Sequence, residues 1–214
     1  MTTAARRKST SIREEIAAFK RQRILEVASE LFARHGYEST TLDEVAARIE
    51  VTKPFIYSYY RNKGELLREI CERGIRKSTE ALDEVMARPA SPTDQLHRIV
   101  RSVGRIIVEN RDYIAVYQAE EKNLLPEDAK HIREMRHEFD LKLTGLLERG
   151  QEAGEFEIQH AQRSALWIGG LLTWIANWYH EGGKWSADEI IEDAVYTIDK
   201  IVMPLGESPR KVNR

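Results

Sequence analysis

The chain has 214 residues, 42% hydrophobic and 32% charged, with 33 Lys and Arg against 35 Asp and Glu. That length can bury one large core or two small ones, and the balance is that of a helix-rich globular chain. A formal net charge of −2 excludes a polycation, but the charge is uneven. Residues 1–63 hold 12 Lys and Arg against 8 Asp and Glu, a balance of +4, while residues 64–214 hold 21 against 27, a balance of −6. A basic end with an acidic remainder suits a molecule that lays one face on phosphate and keeps the other in solvent. The single cysteine, Cys71, excludes an intrachain disulfide and fits a reducing cytoplasm. The first twenty residues have no apolar signal region. The longest apolar run, residues 165–176, is too short to span a bilayer, so a cytoplasmic protein that avoids membranes is expected.

Almost every segment has helical periodicity and no strand alternation stands out, which predicts an all-α fold. Arg6, Arg7 and Lys8 open a basic extension, residues 1–20, that reads as a solvated tail or as an arm reaching a minor groove. Ser11 with Glu14 forms a capping box for a first helix running to His35, and Gly36 ends it. Thr41 with Glu44 predicts a second box, opening a short helix whose apolar face is Leu42, Val45, Ala46 and Ile49. Thr52 can then cap another helix that accepts Pro54 in its first turn and continues inward through Ile56 and Tyr60.

Two helices joined by so short a turn fit the helix-turn-helix, whose second helix enters the major groove. The spacing also fits an ordinary helical hairpin, and residue content decides between them. A solvated second helix would be rich in Glu, Lys and Ala. This one offers Lys53, Phe55, Tyr57 and Tyr59, groups that bond phosphates or press on bases and sugars. Lys53 and Phe55 are therefore expected in the groove, and Tyr57, Lys63 and the helix start at Thr41 on phosphates, with Thr52 and Tyr59 in the same DNA-facing set.

Residues Ile24 to about Leu67 carry Ala28, Leu31, Phe32, Gly36 and Tyr37, then TTLDEVA over 40–46, then VTKPFIYSYYRNK over 51–63. This stretch resembles the N-terminal domain of TetR-type transcriptional regulators. One departure is Glu50, at a turn position usually held by Gly, so the backbone there either accepts a positive φ or turns differently. The resemblance implies a helix-turn-helix domain over 21–67 and a helical ligand-binding and dimerisation domain over 68–214.

The rest of the chain divides into a linking helix from about Lys63 to Ala87, then helices from Ser91-Pro92 to about Asn110, Arg111 to Leu124, Pro126 to about Ala153, Ala161 to Tyr179, and Ala187 to about Met203. Ser186 and Glu189 box the last of these, and Pro204 stops it. Trp167, Trp174 and Trp178 fall on one helical stripe that suits a core, a dimer seam or a ligand wall. Tyr113, Tyr117, Gln118, Glu120 and Glu121 on an earlier helix could complete an aromatic cavity with a few polar groups. The last two helices, with Trp167 to Tyr179 and Ile190, Ile191, Ala194, Val195, Ile198 and Ile201, would form the dimer bundle.

The segments YxxxYQAE (Tyr113 to Glu120), LLERGxEAGEF (Leu146 to Phe156) and WIANWYHEGG (Trp174 to Gly183) resemble regulators of fatty-acid and sterol-fragment degradation that respond to acyl-CoA thioesters. That resemblance implies an acyl-CoA effector and no resident cofactor, with CoA phosphates met by Arg101, Arg105, Arg133 and Arg136. For each arginine, a solvated helix face is the plainer reading. An uncharged aromatic or multidrug-like ligand would need the aromatics but not the cations.

Catalysis finds no support. No two of His35, His97, His131, His137, His160 and His180 stand four apart, and no Gly-rich phosphate loop or nucleophile elbow is present. Glu134, His137 and Glu138 read as a charged helix face, and Cys71 as a small core residue. An acyl-carrier or scaffold module would leave Lys53, Tyr57 and Lys63 without a purpose. The expectation is a homodimeric repressor on an inverted repeat, its two heads about one helical turn, ~34–36 Å, or a multiple of it apart.

Overall fold

The computed structural model describes the backbone of residues 3–202 and the side chains of residues 12–202. Among these residues there are helices and no strands: α1 (Thr3–His35), α2 (Leu42–Arg48), α3 (Lys53–Tyr57), α4 (Lys63–Met86), α5 (Pro92–Glu109), α6 (Arg111–Glu120), α7 (Pro126–Glu152), α8 (Ala161–Trp178) and α9 (Ala187–Val202), with a 3-10 turn over Glu121–Asn123. The chain divides into two compact units, Met1–Arg73 with Ala115–Ala129, and Gly74–Ile114 with Lys130–Arg214.

The start of α1 corrects the sequence reading. The helix already runs from Thr3, so Ser11 lies inside it, not at a cap, and the backbone of Arg6, Arg7 and Lys8 is helical. Residues 3–35 contain neither Gly nor Pro, and Ala, Arg and Lys early in the run are strong helix formers, so nothing local ends the helix at Ser11. The side chains of those three cations and the stop at Pro204 lie outside the described residues.

In the first unit, α1 buries Ile24, Leu25, Ala28 and Phe32, α2 buries Val45 and Ala46, α3 buries Ile56, and α4 buries Leu66, Leu67 and Ile70. Tyr60 is buried with them. Above its ring the Arg21 guanidinium sits 5.1 Å from the centroid, and Arg21 Nε donates to both carboxylate oxygens of buried Glu69 at 2.9 Å. A charge as buried as Glu69 requires such a partner, so this pair ties α1 to α4. Cys71 is buried, and desolvation pushes its thiol up to about 12, which keeps it protonated and inert.

The second unit is built on α5, α8 and α9. Ser91 caps α5 by accepting from Asp94 N–H, and Ser186 and Glu189 form the expected box at α9. Leu96, Ile99, Val103 and Ile107 of α5 pack in one core with Ala165, Ile168, Leu172 and Ile175 of α8. Ile190, Ala194, Val195 and Ile198 of α9 join the same core, and Ile191 is buried too. This corrects the expectation that α9's isoleucines form a dimer seam. They face their own chain because α9 lies against α5, which supplies the complementary apolar face.

Candidate functional site

The helix-turn-helix forms through local chemistry. Thr41 accepts the Glu44 N–H at 3.2 Å, and Glu44 accepts the Thr41 N–H at 2.7 Å, so both ends of the box close. At the turn, Glu50 adopts φ 58° and Val51 N–H returns to Ala46 O at 3.0 Å. The chain therefore accepts the left-handed conformation without a glycine. Thr52 stands at the N-cap of α3 with extended backbone, but its hydroxyl makes no cap bond, which leaves that end of α3 held by backbone alone.

Lys53 and Tyr57 are exposed on α3, where sequence reasoning expects DNA. Lys53 Nζ donates to Asp43 Oδ2 of α2 at 2.8 Å and lies 5.9 Å from the Tyr57 ring centroid. That carboxylate raises the Lys53 ammonium above its ordinary range, so the side chain remains charged. Phe55 and Tyr59 are only half-exposed. Their rings pack on each other at 5.3 Å, with Lys20 Nζ 5.5 Å over Phe55, so the pair acts as a wedge against α1 more than as two independent fingers.

Lys63 and Thr41 are engaged within the head. Lys63 Nζ donates to the carbonyls of Tyr37 (2.6 Å), Glu38 (3.1 Å) and Thr40 (3.1 Å), and stands 4.2 Å from the Tyr37 ring centroid. An ammonium has three donors, and here three carbonyls of the α1–α2 turn take them. On the sequence alone a lysine following the reading helix looks like a phosphate ligand; the fold turns it toward its own backbone instead. The same turn is held from another side by Glu120, whose carboxylate accepts Tyr37 N–H at 3.1 Å and the Asn123 side-chain amide at 2.7 Å. Gly36 at φ 83° lets α1 end there, and no sequence signal linked Glu120 to it.

The residues expected around an effector are drawn from both units. Tyr117, Gln118 and Glu121 belong to the first unit, and Tyr113, Arg133, Arg136 and the tryptophans to the second. Arg101 donates through two nitrogens to Glu192 at 2.7 and 2.8 Å, and Arg105 bonds Asp188. With His97 on Asp199 at 2.7 Å, they form a polar ladder between α5 and α9. In this arrangement both arginines are paired across to α9. Arg133 and Arg136 lie on an exposed side of α7.

Of the three readings of the tryptophan stripe, burial in the core is the one that exposure removes. Tyr113 is buried, whereas Trp167 is 72% exposed, Trp174 64% and Trp178 41%. Trp174, Trp178 and Trp185 line a hollow of about 320 Å³ between α8 and α9, with Ile190, Ala194 and Thr197, and no α6 residue joins it. Trp178 and Trp185 meet edge to face with centroids 6.5 Å apart. The stripe is real, but it looks outward, because the opposite face of α8 already fills the core. Among the described residues no group of three His, Cys, Asp or Glu could hold a metal, and no helix is long and apolar enough to cross a membrane.

Comparison with known proteins decides what this head belongs to. Residues 24–70 match the family model of bacterial regulatory proteins of the tetR family, and residues 89–202 match the tetracyclin repressor-like C-terminal domain. The chain belongs to the TetR family. It is thus a DNA-binding transcriptional regulator, and α2–α3 is its helix-turn-helix. Among the relatives of this TetR-family chain, the HTH-type transcriptional repressor KstR2 of Rhodococcus jostii is 24% identical over 173 residues, 80% of this chain and 85% of that one. The solved ketosteroid transcriptional regulator KstR2 of Mycobacterium tuberculosis matches with a TM-score of 0.78 at 18% identity, over 86% of this chain and 95% of that one. AibR, solved in complex with isovaleryl coenzyme A and operator DNA, matches with a TM-score of 0.71 at 24% identity, over 83% and 96%. At those identities the two solved structures speak for the fold alone.

Proposed function

We propose that this regulator is a homodimeric repressor of an inverted-repeat operator, released by an acyl-CoA thioester from fatty-acid or sterol breakdown. One five-residue reading helix meets few bases, so a second head is required for useful specificity. The uncovered tryptophan face of α8 supports the pairing, since Trp167, Trp174 and Trp178 otherwise stay in water. For the effector, support comes from the relatives: KstR2 is named for ketosteroid regulation and AibR was solved with isovaleryl coenzyme A. Candidates to meet the effector are Tyr117, Gln118 and Glu121 in the first unit and Tyr113 in the second, with Arg101, Arg105, Arg133 and Arg136 of the second unit as the candidate cations for CoA phosphates.

Glu120 carries the coupling. It ends α6, the helix expected to meet the effector, and it closes the turn that starts α2. A ligand that favours a different placement of α6 removes that bond and loosens the start of the helix-turn-helix. A ligand with equal affinity for both arrangements would shift nothing. Coupling of about 1–3 kcal/mol weakens operator binding roughly 5–150-fold. Titration tests it directly. Acyl-CoA should release operator DNA while the free acid and free CoA do much less. If short, long and ring-bearing acyl-CoAs all leave the DNA bound, the thioester reading is abandoned. Release by uncharged aromatics would put a multidrug-like ligand in its place.

A further inference from the structure

We infer that Asp43 determines sequence specificity in the DNA-reading surface, working with Lys53 as one unit that recognises a G·C pair. The inference rests on the DNA-binding function of the head. Lys53 is the first residue of the second helix of the helix-turn-helix, and residues at that end of a reading helix meet base edges. Whatever touches the Lys53 ammonium is at the groove floor with it, and Asp43 Oδ2 is 2.8 Å away.

A structural role explains this pair poorly. Both side chains are more than half exposed, 53% for Lys53 and 58% for Asp43, so the bridge adds little to stability. The two helices are already joined through buried Val45, Ala46 and Ile56. A carboxylate on a surface that meets a polyanion lowers affinity unless it finds a donor. In the major groove, cytosine N4 is the donor that suits Asp, and guanine N7 and O6 are the acceptors that suit Lys.

Geometry matches the chemistry. The major-groove edge of a G·C pair runs acceptor, acceptor, donor. Guanine O6 and cytosine N4 are themselves hydrogen-bonded, about 2.9 Å apart. An ammonium beside a carboxylate at 2.8 Å is the mirror of that edge, donor over O6 and acceptor under N4. The Thr41–Glu44 box fixes the first turn of α2, so Asp43 starts from a rigid backbone and aims the flexible lysine. Asp43 also keeps Lys53 off the phosphates, where it would bind every sequence alike.

The test is selection from a randomised duplex pool by the full chain and by Asp43→Ala, Asp43→Asn and Lys53→Ala. Wild type should select a G·C pair at one position in each half-site, and both alanine variants should lose about 5- to 150-fold of discrimination there. Asp43→Ala should bind random DNA more tightly, with a salt slope steeper by about one, because the freed lysine takes a phosphate. Asp43→Asn should turn the preference toward A·T, since Asn suits adenine. It also serves as the comparison if the alanine variant folds poorly. Unchanged base preference and salt slope in both Asp43 variants, beside a changed preference in Lys53→Ala, would overturn the inference alone. A wild-type chain that selects no duplex would instead remove the DNA-binding reading beneath it.

Discussion

Lys63 separates two accounts of the head, and Lys63→Met is the cleanest perturbation because it keeps the stem and removes the ammonium. In the structure Nζ bonds three carbonyls of the α1–α2 turn at 2.6–3.1 Å and lies against the Tyr37 ring. A charged hydrogen bond contributes about 1.5–3 kcal/mol. The three share one ammonium that is hydrated in the unfolded chain, and Lys63 is half-exposed, so water can reach part of what is vacated. The net loss should be about 2–4 kcal/mol, local to the turn. All four tryptophans lie at 167–185, so tryptophan fluorescence is blind to this region and amide hydrogen exchange is the right assay. Protection across residues 37–46 should fall roughly 30- to 1000-fold, since every 1.4 kcal/mol is a factor of ten. Operator affinity should fall with it at every ionic strength, leaving the salt slope unchanged. A variant with wild-type protection and a salt slope smaller by about one would refute the reasoning and make Lys63 a phosphate ligand.

Other outcomes follow from the same structure. Glu50→Gly relieves a left-handed backbone at φ 58° and should stabilise the head by up to about 1 kcal/mol, partly offset by glycine's freedom when unfolded, readable as slower amide exchange in α2 and α3. Ile56 is fully buried, so Ile56→Asn should cost more than about 3 kcal/mol and abolish operator binding while tryptophan fluorescence of the second unit stays native; a folded head with weaker binding would contradict this. Trp174→Glu combined with Trp178→Glu should yield monomers in sedimentation at micromolar concentration, and a persistent dimer would place the seam elsewhere. Glu192 is held below its ordinary value of 4.5, first by its bonds from Arg101. Its contribution is therefore present above that pH and lost as pH falls through the lowered folded value. Wild type should lose more stability than Glu192→Gln between pH 5 and 3, and parallel acid profiles would show that the Arg101 bridge contributes nothing.

The sequence by itself determined whatever depends on neighbours three or four residues apart. Thr41 with Glu44 and Ser186 with Glu189 cap where their spacing says they should, and Pro92 and Pro126 begin helices. Apolar periodicity likewise marked Val45, Ala46, Ile56 and Tyr60 as the inner face of the head. At α1 even this local reasoning failed, because a capping pair is compatible with uninterrupted helix when no breaker precedes it. Tertiary structure decided the destinations of long side chains and the choice between two apolar faces. Lys63 looks like a phosphate ligand until the α1–α2 turn presents three carbonyls to it. Arg101 and Arg105 find their carboxylate partners only because α9, more than eighty residues later, brings Glu192 and Asp188 opposite them. The tryptophan stripe of α8 and the isoleucine face of α9 have similar apolar periods, and only the packing of α9 on α5 sends one inward and leaves the other in water. A lysine or arginine reaches several ångströms in any direction and a helix carries its pattern without a compass, so these outcomes depend on which surfaces the fold brings together.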